Sequence, residues 1–466
     1  MPLSDCLIAR TDSPSAVPVR LVHIEAVEQL LAELGPVARN TAKATGFEGY
    51  FGQILLVQDG AGGLTSVAYG IGKTGSDQTP FGLARLATGL PSGDYVFESA
   101  LAQPDVTLLG LALQTYRFAR YRKAEGPIRS VRFVAPPSVD LEQLRRTVDA
   151  VAWGRDLVNT PANDLGPAEL AGEAVALARR MGAAVEVISG DALREQAFPL
   201  IHAVGHGSER PPCLVDITWG NPAHPKVTLV GKGVVFDTGG LDIKPSAGML
   251  LMKKDMGGAA AALVAARLVM ESGLSVRLRV LIPIVENATS GRAMRPGDVV
   301  KSRKGLTIEI NNTDAEGRLI LADALALADE EAPTLLLDFA TLTGAARVAL
   351  GPDLPPFYTR DEELASQLLP LADSLQDPVW RMPLWSPYRS MLDSRVADLS
   401  NVSSGAFAGS VTAALFLERF VEKAGSYGHF DVFAWTPSAR PGRPEGGEVQ
   451  AARAVHALMA RRWPRA

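Results

Sequence analysis

Four carboxylates are the residues of this chain best placed to do chemistry. Asp237 lies in the segment GKGVVFDTGG, shortly after an apolar run, and Asp255 opens a helical pattern. Asp314 and Glu316 follow another apolar run, and residues two apart in an extended segment point the same way. Because open α/β sheets build ligand sites where their strands end, we expect these carboxylates to converge on one pocket.

A cluster of four carboxylates needs positive charge to balance it. Two like charges 4 Å apart repel by about 4 kcal/mol at an effective dielectric constant of 20. Two divalent ions would neutralise the four charges, and oxygen donors favour Mg, Mn or Zn without choosing among them. Three cationic side chains, Lys232 between two glycines, Lys244 and Arg318, lie close to the carboxylates in the sequence.

Each group also has a simpler interpretation. Asp255 alone could be an N-cap that stabilises a helix. Asp314 and Glu316 could belong to a solvated loop ahead of a helix. Lys232 and Lys244 could form an ordinary salt-bridge network with the carboxylates. The residue types by themselves leave these alternatives open.

The elements that must position these residues alternate between strand and helix from about residue 160 onward. This alternation predicts βαβ units and a mostly parallel central sheet covered by helices on both faces. The runs predicted as central parallel strands are 227–230, 278–285, 307–310 and 334–339, and the predicted helices are 257–270, 319–329 and 411–421.

A smaller α/β domain is predicted upstream. Apolar runs at 54–57 and 106–113 alternate there with a helical stretch at 24–34. The pattern breaks at the proline pair 136–137, and a helical segment at 141–158 follows. We therefore predict an N-terminal α/β domain over 1–138, a linking helix over 139–158 and a C-terminal catalytic domain over 159–466.

Composition narrows the classes of function. The 466 residues include 46 Lys and Arg against 51 Asp and Glu, a net charge of −5 that provides no general attraction to nucleic acid or anionic lipid. The two cysteines, Cys6 and Cys213, favour a reducing compartment. Asp5 and Arg10 interrupt any signal-peptide pattern near the start. We expect a cytoplasmic protein without membrane segments.

Other catalytic motifs are missing from the sequence. It contains neither an H-E-x-x-H pair nor a G-x-S-x-G elbow, so histidine-ligated zinc proteolysis and serine hydrolysis are unsupported. His202 and His206 are four residues apart, but Pro199 precedes them and glycines interrupt the segment. We expect a structural or turn role for this histidine pair.

The segment NTDAEGRL, residues 312–319, resembles the hallmark of the leucyl aminopeptidase family (cytosol aminopeptidases, dinuclear metallo-exopeptidases). The resemblance extends in order through VGKGVVFDTGG, KKDMGGAA, RPGDV, ATLTGA and AGSVTAALFLE. It implies a metal-dependent aminopeptidase that releases leucine-like and other N-terminal residues from peptides by attack of a metal-bridging water.

The resemblance implies a role for each charged residue of the cluster. Asp237 and Glu316 would bridge two divalent ions, Mn or Zn, with Mg as a further candidate. Lys232 and Asp255 would complete one metal site and Asp314 the other. The family therefore supplies the ligand set that the residue types alone left open.

Further roles are implied by the same resemblance. Lys244 would stabilise the oxyanion of the tetrahedral intermediate, and Arg318 would position a bicarbonate ion as general base. The pocket for the first side chain would be lined by Met252, Thr341, Leu342 and Gly344. The family also implies a homohexamer.

Two competing functions remain at this point. Some bacterial relatives act on DNA, although the net charge argues against nucleic acid as the main partner. A dinuclear hydrolase of phosphate esters would use a similar cluster. Substrate panels and salt-dependent retention on duplex DNA distinguish these functions from peptide hydrolysis.

Overall fold

A computed structural model describes residues 2–76, 79–122 and 130–465. The chain divides into two compact units, and each is described by itself. The N-terminal unit comprises Met1–Ala152 with Ser438–Glu445, and the C-terminal unit comprises Trp153–Pro437 with Gly446–Ala466. The domain boundaries expected at 138 and 158 stay a prediction.

The N-terminal unit contains a six-stranded sheet within the described ranges. Its strands are β1 (Leu7–Ile8), β2 (Val17–Val22), β3 (Ile54–Gln58), β4 (Leu64–Gly70), β5 (Gly93–Phe97) and β6 (Val131–Val134). Its helices are α1 (Val27–Thr45), α2 (Leu86–Gly89), α3 (Pro104–Gln114) and α4 (Leu141–Asn159), the last of which continues into the C-terminal unit. The strand order is β1-β6-β5-β2-β4-β3, and the pairing is parallel except between β3 and β4.

One prediction for this unit was wrong. The apolar run 106–113 is not a strand but lies inside α3, whose residues there are buried. Pro104 stands at the start of the helix, where its missing N–H costs nothing, and the leucines and alanines that follow are good helix formers. A helix buried on all sides loses the 3.6-residue pattern that would identify it.

The C-terminal unit carries the candidate site. Its strands are β7 (Ala184–Ser189), β8 (Cys213–Trp219), β9 (Lys226–Gly231), β10 (Gly233–Asp237), β11 (Arg277–Asn287), β12 (Val299–Lys301), β13 (Thr307–Glu309), β14 (Leu335–Ala340), β15 (Pro356–Tyr358), β16 (Trp380–Met382), β17 (Leu399–Ser400), β18 (Tyr427–Asp431), β19 (Trp435–Thr436) and β20 (Gly446–Gly447). Its helices are α5 (Pro167–Arg180), α6 (Ala192–Glu195), α7 (Pro199–Gly205), α8 (Ser246–Met249), α9 (Gly257–Ser272), α10 (Gly317–Glu330), α11 (Gly344–Leu350), α12 (Glu362–Ser374), α13 (Gly409–Glu418) and α14 (Ala452–Arg462).

The central sheet follows the order β16-β15-β18-β14-β9-β11-β8-β7, with β10 also paired to β11. Its middle strands are parallel, whereas β15 with β18, β11 with β8, and β8 with β7 are antiparallel. The mostly parallel sheet is therefore confirmed. The predicted strands at 227–230, 278–285 and 334–339 and the predicted helices at 257–270, 319–329 and 411–421 are confirmed as well.

The predicted central strand at 307–310 was placed wrongly. Strand β13 belongs to a separate three-stranded sheet with β12 and β17. Only its middle residue, Ile308, is buried, while Thr307 and Glu309 are partly exposed. Such alternation is typical of a sheet with one wet face, whereas central parallel strands such as β14 are buried throughout.

The histidine pair lies at the end of α7, which begins at Pro199 and ends at Gly205, so the helix includes His202 and stops before His206. His202 is buried, contacts Asp191 at 3.4 Å and stacks on His206 with ring centroids 5.0 Å apart. These contacts support the structural role. No helix in the described parts of the chain has the length and apolarity needed to cross a membrane.

Candidate metal centre

The site is built where the middle strands of the central sheet end. Strand β10 terminates at Asp237, and the chain turns sharply at Gly239, which has a φ of 88°. A Cβ at Gly239 would stand 2.4 Å from the carbonyl oxygen of Asp242, so only glycine fits this turn. The turn leaves the Asp237 carboxylate at the edge of the sheet.

Three of the predicted carboxylates meet in the interior. Asp237, Asp255 and Glu316 are all buried, and each offers an oxygen within 4.8 Å of the oxygens offered by the other two. Asp255 reaches this point from a 3-10 turn, Met252–Met256, that precedes α9, and Glu316 from the residue before α10. Residues far apart in the sequence thus form one acidic cluster.

Lys232 enters the cluster from the junction of β9 and β10. Its Nζ lies 2.7 Å from Asp255 Oδ2 and 3.0 Å from Glu316 Oε1, and it donates to the Thr341 carbonyl oxygen at 2.8 Å. Gly317 leaves room for it, since a Cβ there would stand 2.5 Å from Lys232 Cε. The lysine is held by packing as well as by charge.

Lys244 joins the fourth carboxylate to the cluster. Its Nζ lies 2.8 Å from Asp237 Oδ2 and is also paired with Asp314. The Asp314 side chain is 34% exposed, whereas that of Asp237 is 3% exposed. Asp314 is therefore more exposed than the three buried carboxylates, and it is joined to Asp237 through Lys244.

Unpartnered oxygens test whether this cluster fits a metal. Glu316 Oε2 is buried and accepts no hydrogen bond from any residue in the described ranges. Asp255 Oδ2 has the ion-pair contact with Lys232 but no hydrogen bond of good geometry. Buried carboxylate oxygens without donors are costly, and a cation among them would satisfy them. The donor set of hard oxygens and one amine fits divalent ions.

Burial and mutual repulsion perturb the acids of the cluster. Burial, with the charge of Asp255, raises the pKa of Asp237 to about 6. Burial, with the charge of Asp237, raises the pKa of Glu316 to about 8. Without a cation, the cluster therefore retains protons near neutral pH.

The lysines respond in the opposite sense. Burial alone would lower the pKa of Lys232, but the charge of Asp255 raises it above its usual range. Burial would likewise lower the pKa of Lys244, but the charge of Asp237 raises it above its usual range. Both ammonium groups are therefore charged in the absence of metal.

Arg318 lies on the first turn of α10, beside the cluster. It is buried, and its Nη1 donates to the Asn401 carbonyl oxygen at 2.8 Å. Burial lowers the pKa of Arg318 to about 10, which leaves the guanidinium charged at neutral pH. A buried positive charge thus stands next to Glu316.

The predicted pocket residues lie against the same cluster. The Thr341 hydroxyl donates to Asp255 Oδ1 at 2.8 Å, and Met252 opens the 3-10 turn that carries Asp255. Leu342 follows Thr341, and Gly344 begins α11. The loop after β14 and the turn before α9 therefore meet at one side of the carboxylates.

Two supporting residues were missed by sequence reasoning. Asn287, the last residue of β11, donates from Nδ2 to Asp237 Oδ1 at 2.8 Å. Asp431, at the end of β18, accepts from the backbone N–H groups of Leu342 and Thr343 and from the Thr343 hydroxyl. Their place at the carboxyl end of a strand in the central sheet is the signal that could have identified both.

The simpler interpretation of Asp255 does not hold. Met256, not Asp255, precedes α9, and that helix has no side-chain capping hydrogen bond. Asp255 instead contacts Thr341 and Lys232. Its carboxylate therefore serves the cluster and not the helix end.

Both parts of the chain match known families. Residues 152–459 match the cytosol aminopeptidase family, catalytic domain, and residues 17–133 match the M17 aminopeptidase N-terminal domain. A probable cytosol aminopeptidase of Brucella suis biovar 1 is 42% identical over 355 residues, which cover 71% of each chain.

Two solved structures are similar to this chain over nearly its whole length. The cytosol aminopeptidase of Coxiella burnetii has a TM-score of 0.92 and 43% identity, covering 98% of this chain and 100% of that one. The bottromycin maturation enzyme BotP in complex with Mn has a TM-score of 0.84 and 32% identity, covering 96% and 99%.

Proposed function

This chain belongs to the cytosol aminopeptidase family and is an aminopeptidase, and we propose that it releases leucine-like and other N-terminal residues from peptides in a metal-dependent reaction. The observation that carries the metal dependence is the group of three buried carboxylates, Asp237, Asp255 and Glu316, with an oxygen of Glu316 that lacks a donor among the described residues.

Five side chains would hold two divalent ions, Mn or Zn, with Mg as a further candidate. Asp237 and Glu316 would contact both ions, Lys232 and Asp255 one of them, and Asp314 the other. Lys232 would bind as a neutral amine, so ion binding must displace its proton and those held by the acids. Two ions bound here would polarise the scissile carbonyl, lower the pKa of the attacking water and hold the substrate's free α-amine.

Lys244 would provide positive charge where negative charge develops. Its ammonium lies between Asp237 and Asp314, which keep it protonated. Its side chain is 15% exposed, so it can also reach a substrate at the solvent side of the cluster. In that position it would stabilise the oxyanion of the tetrahedral intermediate.

Arg318 would position the general base. Its charged guanidinium stands beside Glu316, and one of its nitrogens is anchored to Asn401. A bicarbonate ion bound to the remaining guanidinium donors would accept a proton from the attacking water.

Selectivity for chain ends would follow from recognition of the amine. A blocked or internal peptide cannot offer a free α-amine, so only the first residue is released. Met252, Thr341, Leu342 and Gly344 would line the pocket for its side chain. We further propose a cytoplasmic homohexamer, without nucleic acid as its main partner.

One combined experiment tests this function. Elemental analysis of the purified protein would be paired with hydrolysis of free aminoacyl arylamides, their N-acetylated forms and phosphate monoesters. We expect about two divalent ions per chain and hydrolysis of the free aminoacyl substrates alone. Metal-independent hydrolysis, or faster cleavage of phosphate esters, would overturn the proposal.

A further inference from the structure

Two segments that carry proposed metal ligands are joined by hydrogen bonds that the mechanism above does not use. The backbone N–H of Thr313 donates to Asp242 Oδ2 at 2.7 Å. The Thr313 hydroxyl accepts from the backbone N–H of Asp242 at 2.9 Å and donates to the Gly239 carbonyl oxygen at 2.6 Å. We call these three bonds the Asp242–Thr313 link. The link joins the turn after Asp237 to the segment that leads to Asp314.

The link is closely packed as well as hydrogen-bonded. Thr313 is fully buried. A Cβ added to Gly240 would stand 2.9 Å from Thr313 Oγ1 and 3.0 Å from Asn287 Oδ1. The side-chain amide of Asn287 donates to Asp237 Oδ1 at 2.8 Å and to the Thr313 carbonyl oxygen at 3.1 Å. Thr313 is therefore held between the turn after β10 and the end of β11.

Asp314 is the proposed metal ligand that depends most on this link. It directly follows Thr313, and its side chain is 34% exposed. Its backbone N–H donates to the side chain of Asn312, which belongs to the same segment, at 2.7 Å. The position of Asp314 is therefore set by the residue that anchors this segment, and that residue is Thr313.

The other four proposed ligands have anchors of their own. Asp237 ends β10, which is paired with β11. Lys232 is paired with both Asp255 and Glu316, and Glu316 directly precedes α10. Loss of the link should therefore displace Asp314 and leave the other four side chains in place.

We propose that Thr313 and Asp242 are positioning residues that set the metal affinity of one of the two sites, the one that Asp314 completes. The inference rests on the proposed function and concerns the assembly of its metal centre. A ligand that the protein already holds in place loses less conformational freedom when an ion binds. Without the link, ion binding must also order the Asp314 segment. The affinity of this site then falls, while that of the site completed by Lys232 and Asp255 is retained.

The test replaces Thr313 with valine, which has nearly the same shape and lacks the hydroxyl. Metal-free protein is titrated with Mn²⁺ alone in a calorimeter, and we expect about two ions per native chain. In Thr313→Val one ion should bind with native affinity and the other about tenfold or more weakly, because the lost hydroxyl bonds two backbone groups. At saturating Mn²⁺ kcat should approach the native value, since Thr313 acts on metal affinity and not on the reacting atoms.

Three further variants complete the design. Thr313→Ser keeps the hydroxyl and should restore most of the lost affinity. Asp242→Ala changes an exposed residue and should weaken the same site, so the comparison does not depend on the folding of Thr313→Val. Thr228→Val is the matched control, because Thr228 is fully buried on β9 and its hydroxyl has no hydrogen-bond partner among the described residues. It should leave both affinities unchanged.

The two proposals can fail separately. If the native protein binds two ions and both affinities are unchanged in Thr313→Val and Asp242→Ala, this inference is overturned and the proposed function stands. Equal weakening of both sites would also overturn it, because the link would then act on the whole cluster and not through Asp314. Failure of the native protein to bind metal and to hydrolyse a leucyl arylamide would overturn both.

Discussion

Glu316→Gln is the substitution that most directly tests the metal cluster. The change keeps the size of the side chain and removes its charge. Because burial raises the pKa of Glu316 to about 8, the metal-free protein at pH 7 already holds this group largely protonated. The neutral amide therefore resembles the resting state, and we expect the chelated variant to be about as stable as the chelated native protein.

The metal-bound protein should be much more sensitive to this substitution. Since the oxygens offered by Asp237, Asp255 and Glu316 lie within 4.8 Å of one another, some point lies within about 2.8 Å of all three. A divalent ion there gains on the order of 10 kcal/mol from each unit negative charge at an effective dielectric constant of 20. Deprotonating Glu316 at pH 7 costs only about 1.4 kcal/mol.

This Coulomb energy exceeds the loss of binding free energy that would be measured. Even if the substitution removes only a third of it, metal affinity falls by more than about two orders of magnitude. An ion present at 100 times its Kd stabilises the native protein by about 2.7 kcal/mol, and the variant should lose nearly all of this. The assay is the apparent Tm with Mn²⁺ and with chelator, together with bound metal and hydrolysis of a leucyl arylamide.

Glu330→Gln is the matched control, since Glu330 is the exposed last residue of the same helix, α10. It should leave the metal-induced change in Tm and the activity unchanged. If Glu316→Gln bound its full complement of metal and remained active, the assignment of the cluster would be wrong. If the chelated variant were unfolded, the inferred protonated resting state would be refuted.

Lys244→Ala should lower kcat by about a hundredfold or more, as expected for loss of an oxyanion contact, while elemental analysis finds the metal content nearly intact. Loss of both metals would mean that the lysine has been given the wrong role. Asp431→Ala should reduce kcat/KM about tenfold at unchanged metal content, because the backbone N–H groups of Leu342 and Thr343 lose their acceptor. Unaltered kinetics would count against the positioning of this loop by Asp431. Burial raises the pKa of Asp323 to about 7. The protonated carboxyl therefore stabilises the folded protein fully below about pH 4, and this stabilisation, about 4 kcal/mol in total, is lost as the pH rises through about 7. Denaturant unfolding across this range should show a flatter pH dependence for Asp323→Asn, and identical slopes in the two proteins would contradict the shift.

Much of the fold could be read from the sequence because its strongest elements are local. Strands β9 and β14 are continuous apolar runs, and α10 has a repeating pattern of leucine and alanine after its glycine. Such patterns report burial along a single element. These patterns gave wrong predictions for α3, which is buried on all sides, and for β13, a short apolar run that belongs to a second sheet.

The residues of the candidate site were likewise predicted only in part from the sequence. The sequence motif around Asp314 and Glu316 was enough to indicate the family and, through it, a ligand set. Asn287 and Asp431 escaped notice because each is one of several polar residues in its strand, without a motif of its own. Their importance depends on what the neighbouring strands bring next to them.

By itself the sequence established the class of protein, the succession of strands and helices, and the residue types able to hold metal. Only the tertiary structure decided that three carboxylates meet within 4.8 Å, while the more exposed Asp314 is joined to Asp237 through Lys244. It alone also decided that Lys254 and Arg347 both lie over the Phe433 ring. The physical reason is that local patterns encode which side of an element is buried, whereas distances between charges depend on how distant segments pack.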